Sequence, residues 1–239
     1  MKEINPVKNL LFIDIETVQL TKTLGELDER LQKEWIRKAP RFDKEHPPED
    51  VYQSKAGIMA EFGKIITIGL GYFSKDKDGT VQFRVKAISG DVEKDVLVQF
   101  KELIAEKFDQ KKLLLVAHNG KEFDYPYLCR RMLINGIPLP PVLNLLGKKP
   151  WEVPHYDTME MWKFGELRHY VSLDLLATLF GLPSSKNDID GSQVAKVYYE
   201  DDDLERIATY CQNDVVVTAR VFLKMKSLPD LPEERIVRV

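Results

Sequence analysis

The 239-residue sequence predicts an α/β fold built on a mixed β-sheet that helices flank. Two observations lead to this prediction. Three β-rich runs lie within the first 90 positions, and a helix, a short apolar run and mostly helical sequence follow them. No internal repeat, low-complexity tract or Gly/Ser-rich linker divides the chain. We therefore expect one domain over residues 1–239, with an insertion of unassigned role at about residues 18–63.

The first strand is predicted over Asn9 to Thr17, because its side chains alternate between two faces. One face carries Leu11, Ile13 and Ile15, and the other carries Leu10, Phe12, Asp14 and Glu16. Residues 18–63 break this pattern with a mixed-charge stretch, predicted to be helical near 23–38, and a loop-like segment at 46–50 that contains two prolines. Two further strands are predicted at 65–74 and 81–89, joined by a turn at 75–79.

The second half of the sequence is mostly helical. An amphipathic helix over 92–108 precedes a short buried strand at 113–117, and a helix over 123–135 ends at Gly136 and Pro138. Ser172 is a suitable N-cap for the apolar run 173–180, which Gly181 and Pro183 close. The strongest helix covers 201–225, where apolar residues recur with a 3.6-residue period over several turns.

Charge and cysteine content restrict the class of protein. The 35 basic and 38 acidic residues give a net charge of −3, which by itself disfavours a protein that coats nucleic acid. Cys129 and Cys211 form neither a disulfide framework nor a CxxC metal site, so we expect a reducing compartment. The N-terminus, Met-Lys-Glu-Ile-Asn-Pro, and the short apolar run ended by Asp14 fit neither a leader peptide nor a membrane span. A cytoplasmic location is therefore expected.

The first chemical signal is the pair Asp14 and Glu16 at the end of an aliphatic strand. Positions i and i+2 of a strand share a face, so the two carboxylates project side by side. Neighbouring carboxylates that lose hydration repel each other, and a divalent cation relieves that repulsion. An all-oxygen site favours Mg²⁺ or Mn²⁺. The alternative is an ordinary strand end with solvated acids.

The second signal is the polar turn at 118–127, which leaves the short buried strand and opens a helix. Such turns are favoured places for ligand contacts. Asp124 near the helix start is electrostatically favourable even without a metal. His118 is interpreted as a structural histidine with satisfied hydrogen bonds rather than a catalytic group.

The third signal is Tyr210 and Asp214 on the long helix. Their i, i+4 spacing places them on one face, one turn apart. Asp214 is three positions from Cys211, which belongs to the apolar stripe. This spacing places Tyr210 and Asp214 where the buried face of the helix meets solvent. Taken alone, a boundary tyrosine and a solvated aspartate explain this pair.

The three motifs together resemble, in order and wording, those of the DEDD superfamily of 3′→5′ exonucleases, which has an RNase H-like fold. The first resembles Asp-x-Glu-Thr, the second Asn-x-x-x-Phe-Asp followed by Tyr-Pro-Tyr-Leu, and the third Tyr-x-x-x-Asp. A tyrosine four residues before the last aspartate is typical of the DEDDy branch. Within it the second motif is most similar to the proofreading exonuclease domain of family-B DNA polymerases. The resemblance covers roughly residues 9–225, and because the chain ends soon afterwards we expect a stand-alone exonuclease.

This resemblance implies a hydrolase of phosphodiester bonds that uses two ions of Mg²⁺ or Mn²⁺. Asp14 would bridge both ions, Glu16 and Asp214 would complete the site of the nucleophilic water, and Asp124 would serve the second ion through water. Tyr210, with an ordinary pKa near ~10, is a poor general base and would orient the water.

By the same similarity, Thr17, Asn119 and Phe123 would contact the 3′-terminal nucleotides, although Phe123 is equally compatible with a core position. A set of aromatic and basic residues could form a surface that stacks bases and follows phosphates: Trp151, Trp162, Tyr170, Lys148, Lys149, Lys163 and Arg168. The favoured interpretation of these residues is core tryptophans with surface lysines. Residues 201–203, three aspartates, are interpreted as a solvated helix start.

The sequence therefore predicts a metal-dependent 3′→5′ exonuclease that acts on single-stranded ends, DNA in preference to RNA. An RNA exonuclease remains an alternative, because the same carboxylate chemistry serves either sugar. A non-catalytic nucleic-acid-binding subunit and an RNase H-like endonuclease are further alternatives. The charge of −3 does not exclude the exonuclease, since four of the acids are assigned to metal binding and an enzyme that grips a few terminal nucleotides needs no basic surface.

Overall fold

A computed structural model describes residues 7–184 and 188–239 of the chain. Residues 1–6 and 185–187 lie outside the described residues. The expectation about a leader peptide concerns residues 1–6 and therefore stays a prediction. The strands of the described part are β1 (Leu10–Gln19), β2 (Gly63–Lys75), β3 (Val81–Ser89), β4 (Leu114–Ala117), β5 (Tyr156–Asp157) and β6 (Ile236–Arg238). Its α-helices are α1 (Glu29–Lys38), α2 (Pro48–Lys55), α3 (Glu93–Lys107), α4 (Asp124–Ile134), α5 (Thr158–Lys163), α6 (Leu173–Leu179), α7 (Val194–Lys196) and α8 (Leu204–Met225).

The described strands form a six-stranded sheet in the order β5-β4-β1-β2-β3-β6. β1 is antiparallel to β2 and parallel to β4, and β2 is antiparallel to β3. The outer strands β5 and β6 run parallel to their neighbours β4 and β3. The predicted α/β fold with a mixed sheet is thus confirmed.

The predicted elements are found within a few residues of their expected ends. The Ser172 hydroxyl caps α6 by accepting a hydrogen bond from the Leu175 N–H, as expected. The loop-like interpretation of 46–50 holds at residues 46 and 47 but is wrong from Pro48 onward, because α2 begins there, where the missing N–H of proline is harmless. β5 and β6 were not predicted, since two or three residues carry no periodic signal.

The sheet carries an apolar core on each face. The first face, with Leu11, Ile13 and Ile15, packs on α3 and α4 through residues such as Val96, Phe100, Leu128 and Met132. The second face, with Leu10 and Phe12, packs on α8 through Val215, Ala219 and Phe222. Because β1 alternates between these cores, its second face leads directly from the Phe12 ring to Asp14 and Glu16.

The segment between β1 and β2 has a small core of its own. Trp35 is fully buried there and packs edge-on against Tyr52 and Phe62 at centroid distances of 5.4 and 5.0 Å. The Trp35 indole N–H also donates to the Pro48 carbonyl at 2.8 Å, which ties α1 to the start of α2. The segment is therefore a packed unit beside the sheet.

A buried ion pair joins this segment to the first core. The Arg131 side chain on α4 makes two hydrogen bonds to the Glu93 carboxylate on α3, at 2.8 and 2.5 Å. Arg131 also donates to the Ala60 carbonyl at 2.9 Å, and Glu93 accepts from the Ile65 N–H at 2.8 Å. The pair fixes the position of the chain before β2, because both of its members are also hydrogen-bonded to the backbone there, at Ala60 and Ile65.

Neither cysteine is part of a disulfide, and Cys211 is buried. Among the described helices, none combines the length and the hydrophobicity that a membrane span requires.

Gly69 of β2 allows α8 to approach the sheet directly beside Asp14, its partner residue on β1. A Cβ at this position would lie 2.8 Å from both the Cys211 Sγ and a Val215 methyl carbon. We predict that Gly69→Ala lowers the free energy of unfolding by about 1–3 kcal/mol, measured by urea denaturation, since α8 must shift away from the sheet.

Gly25→Ala is the matched control, because no atom lies within 4 Å of the Cβ it would add. Equal stability of the two variants, within about 0.5 kcal/mol, would contradict the close approach of α8.

Candidate active site

The acidic pair of β1 faces α8. Asp14 and Glu16 continue the face that buries Phe12, and the Glu16 side chain is itself buried while Asp14 is half-buried. The Cys211 thiol of α8 lies 3.2 Å from an Asp14 carboxylate oxygen and donates to it. The pairing of β1 with β2 shifts register between Glu16 and Thr17, so an irregularity of the strand sits at the acidic pair.

Asp124 is the first residue of α4 and is buried. The turn before it is held by Asp157, whose carboxylate accepts from the backbone N–H of Asn119 at 2.9 Å and of Lys121 at 3.0 Å. The same carboxylate caps α5 by accepting from the Met159 N–H at 2.9 Å. Sequence reasoning missed Asp157. The capping pattern of an aspartate followed three residues later by Glu160 was the available signal.

Tyr210 and Asp214 occupy adjacent turns of α8, as predicted. Tyr210 is buried, Asp214 is half-buried, and the tyrosine hydroxyl donates a hydrogen bond to the aspartate. Burial, followed by the charge of Asp214 and of Glu16, raises the pKa of Tyr210. The phenol therefore remains protonated over the physiological range and acts as a hydrogen-bond donor.

The four predicted carboxylates lie close enough for their charges to interact. Burial raises the pKa of Asp14, and repulsion from Glu16, Asp214 and Asp124 raises it further. Glu16 has a raised pKa for the same reasons, burial first and then the charges of Asp214 and Asp124. Burial is the main cause that raises the pKa of Asp124 to about 8, with contributions from Asp157 and Asp214.

Two carboxylates of the site are suitable ligands for a hard divalent cation. Ligand atoms of Asp14, Glu16 and the Cys211 thiol all lie within 4.8 Å of one another, and the oxygens of the two acids are the donors that Mg²⁺ or Mn²⁺ prefers. In the described part of the chain, no lysine or arginine forms an ion pair with Asp14, Glu16 or Asp124. Buried carboxylates without a cationic partner are expensive to ionise, and a divalent ion bound by their oxygens removes that cost.

An open cleft of about 530 Å³ adjoins the acids. Glu16, Thr17 and Phe123 line it on the side of the sheet. Its other walls come from the segment between β1 and β2, through residues such as Gln53, Gly57 and Ile58, and from Gly191, Ser192 and Ala195. The cleft is thus wide enough for a small polar ligand at the carboxylates.

The predicted substrate contacts are placed in two different cavities. The Thr17 hydroxyl donates to the Gly57 carbonyl at 2.8 Å, and Phe123 is half-buried with its ring 5.3 Å from that of Tyr127. Both line the cleft, whereas Asn119 lines a neighbouring groove on the outer side of α4. Asn119 has a φ of 61°, which shapes the turn.

His118 is a structural residue, as interpreted from the sequence. One ring nitrogen lies 2.9 Å from the Thr158 hydroxyl, and the other lies 2.9 Å from the Val171 carbonyl. Burial lowers the pKa of His118. Both nitrogens are engaged, so the ring connects the turn to the chain that follows α5.

Two interpretations of weaker signals are corrected or refined. Trp151 is 75% exposed and Tyr170 is 68% exposed, so the expectation of core tryptophans is wrong for Trp151, while Trp162 is half-buried against the core around α6. Of the three aspartates at 201–203, Asp203 caps α8 by accepting from the Arg206 N–H at 3.0 Å, and the helix itself begins at Leu204.

Comparison with known families and structures identifies relatives of the chain. The family model described as "Predicted 3'-5' exonuclease related to the exonuclease domain of PolB" matches residues 58–235, a span that contains the second and third motifs. Among solved structures, the family B DNA polymerase from the hyperthermophilic archaeon Pyrobaculum calidifontis is similar, with a TM-score of 0.55 and 16% sequence identity. The likeness covers 90% of this chain but only 24% of the polymerase chain. It shows that the fold is RNase H-like.

The raised pKa of Asp124 predicts a pH-dependent stability of the metal-free protein. An unfolded aspartate titrates near ~3.9, whereas folding raises this pKa to about 8. The native state therefore keeps a proton that the unfolded state has lost, so the contribution of this group to stability is full below about pH 4 and is lost as pH rises toward 8.

Asp124→Asn removes this titration, and we expect its stability relative to wild type to increase between pH 5 and pH 8 by more than about 1 kcal/mol. Thermal or urea unfolding with a chelator present measures the difference at each pH. Asp202→Asn, at an exposed position outside the cluster, is the control. A difference between Asp124→Asn and wild type that does not change with pH would contradict the electrostatic assignment.

Proposed function

Because this chain belongs to the family of predicted 3′-5′ exonucleases related to the exonuclease domain of PolB, we propose that it is a metal-dependent 3′→5′ exonuclease. It hydrolyses phosphodiester bonds at the 3′ end of single-stranded nucleic acid, DNA in preference to RNA, and releases nucleoside 5′-monophosphates. The observation that supports this proposal is the electrostatic interaction of Asp14 with Glu16, Asp124 and Asp214, with Glu16 in the wall of an open cleft.

The carboxylates would hold two ions of Mg²⁺ or Mn²⁺. Asp14, Glu16 and Asp214 would bind one ion, and Asp124 would serve the second together with Asp14. When bound, such ions make hydroxide available near neutral pH and offset charge on the attacking and leaving oxygens. The raised pKa values of Asp14, Glu16 and Asp124 support this assignment. Within the described residues, none of these three acids forms an ion pair with a lysine or arginine, so a bound cation would stabilise their ionised forms.

Tyr210 orients the attacking water. Its hydroxyl donates to Asp214 and stays protonated because burial and the neighbouring acids raise its pKa. A protonated phenol cannot accept a proton as a general base, but its oxygen lone pairs can accept a hydrogen bond from the water. The residue therefore positions the nucleophile rather than activating it.

The cleft residues bind the terminal nucleotide. Phe123 presents a half-buried ring on which a base can stack. The Thr17 hydroxyl donates to the Gly57 carbonyl, which leaves its oxygen lone pairs for a hydroxyl of the terminal sugar. Segment 18–63 of this single domain acts as one wall of the cleft through Gly57 and its neighbours. The two free thiols are compatible with the cytoplasm, which is the location we propose.

Loss of a central carboxylate tests the activity. With Mn²⁺, we expect wild-type protein to shorten a 5′-labelled single-stranded DNA in single-nucleotide steps, and Asp14→Ala to reduce that rate by about 10²–10³-fold or more, because the charge of the cations is no longer balanced. Asp202→Asn, an exposed acid outside the cluster, should retain the wild-type rate.

No degradation by wild type, or equal rates for wild type and Asp14→Ala, would refute the exonuclease and favour a non-catalytic binding protein. Faster shortening of an RNA of the same sequence would overturn the DNA preference. Cleavage of circular single strands would indicate an endonuclease.

Removal of one hydroxyl tests the role of Tyr210. We expect Tyr210→Phe to lower kcat about 10- to 100-fold with KM nearly unchanged, the effect of one hydrogen bond to a charged or developing group. Calorimetric Mn²⁺ binding should remain, since Tyr210 is not a ligand. A proportional loss of Mn²⁺ affinity would instead assign the hydroxyl to the metal site.

A further inference from the structure

A groove of about 450 Å³ lies beside the candidate active site, between the outer face of α4 and the chain at 139–153. The turn at 119–123 separates it from the cleft, because Phe123 faces the cleft while Asn119 and Glu122 face the groove. The walls of the groove are mostly aliphatic, with Leu139, Leu145 and Val153 among them. The cleft and the groove therefore lie on either side of one short turn.

Basic side chains surround this apolar surface. Lys121 and Lys163 line the groove with mostly buried side chains, and their ammonium groups pair with Glu160 at 2.5 Å and Glu122 at 3.7 Å. Arg130 and Lys148 also line it, are exposed and form no ion pair among the described residues. The rim thus offers free positive charge to an anionic ligand.

Two exposed aromatic rings lie next to residues that line the groove. The Lys163 ammonium lies 4.9 Å from the centroid of the Tyr170 ring. The next residue, Val171, accepts a hydrogen bond from His118, which holds this part of the chain beside the second motif. Trp151 follows Pro150 of the groove and carries the Lys149 ammonium 5.4 Å from its ring. Flat exposed rings paired with cations are the combination that binds the bases and phosphates of single strands.

We propose that this groove binds the single strand upstream of the 3′ end, with Trp151 and Tyr170 as stacking platforms and Arg130 and Lys148 as phosphate contacts. The inference rests on the proposed function for the direction of the strand, but the groove itself is a separate binding surface. An apolar floor accommodates bases, and a few free cations suffice for a short segment of backbone. An acidic, amphipathic peptide is the other ligand class compatible with apolar walls. The position of the groove across the turn 119–123 from the cleft, together with the unpaired Arg130 and Lys148 at its rim, favours the nucleic acid.

Tryptophan fluorescence provides a direct readout, because Trp35 is fully buried and Trp162 is half-buried, whereas Trp151 is exposed. The wild-type protein in EDTA is titrated with dT4, dT20 and rU20. We expect dT20 to quench the emission and to bind at least about tenfold more tightly than dT4, the effect of one or two stacked bases. Trp151→Phe should abolish most of the quenching.

Two variants and one control test the contacts, with anisotropy of labelled dT4 and dT20 as the measurement. Tyr170→Ala and Lys148→Ala should each reduce the preference for dT20 over dT4 by about three- to tenfold. Lys111→Ala is the control and should leave the preference for dT20 over dT4 unchanged. Lys111 is exposed and precedes β4, so it lies at the end of that strand opposite to the turn at 119–123. The mutated side chains are exposed, so circular dichroism should show folded proteins.

Equal affinity of wild type for dT4 and dT20, or variants with an undiminished preference for dT20, would overturn the groove assignment. Quenching by an acidic leucine-containing peptide but not by dT20 or rU20 would replace it with a protein-binding surface. Failure of the proposed function gives a different result: dT20 binds in the groove as expected, yet wild type with Mn²⁺ degrades neither dT20 nor rU20.

Discussion

Repulsion among four buried or half-buried carboxylates is the constraint on which the candidate site depends. Burial raises the pKa of Asp14, Glu16 and Asp124, and the charge of Asp214 raises all three pKa values further. A fold gains nothing from such an arrangement unless a ligand of opposite charge completes it. Under the proposed function, a divalent cation would relieve more of this repulsion than a monovalent one.

The rest of the structure holds these acids together against that repulsion. Gly69 lets α8 lie directly over the second face of β1, which brings Cys211 and Asp214 to Asp14. On the opposite side, the Asp157 carboxylate fixes the turn that positions Asp124. The buried pair of Glu93 and Arg131 anchors the chain that walls the cleft. Stability given up at the acids is recovered in two apolar cores and in this ion pair.

The sequence predicts the sheet and its main helices, because period-2 and period-3.6 patterns are long there. The carboxylates are predicted only from the resemblance of the three ordered motifs, since each motif alone also fits ordinary solvated acids. The two-residue β5 and three-residue β6 carry no such pattern, and the helix at Pro48 was hidden by its prolines. Asp157 was missed because its role lies in contacts across about 40 residues, to the N–H groups of the second motif. The exposure of Trp151 depends on the path of the chain at 139–153, and this segment has no periodic pattern from which that path could be predicted.

Calorimetric titration of the protein with Mn²⁺ at pH 7, in two buffers of different ionisation enthalpy, tests the central claim most directly. Carboxylates that keep protons in the metal-free protein must lose them when ions bind, so the heat must depend on the buffer. The account predicts binding of two ions per chain with release of protons, and loss of both effects in Asp14→Ala. Absence of Mn²⁺ binding at millimolar concentration, or binding that Asp14→Ala leaves intact, would contradict it.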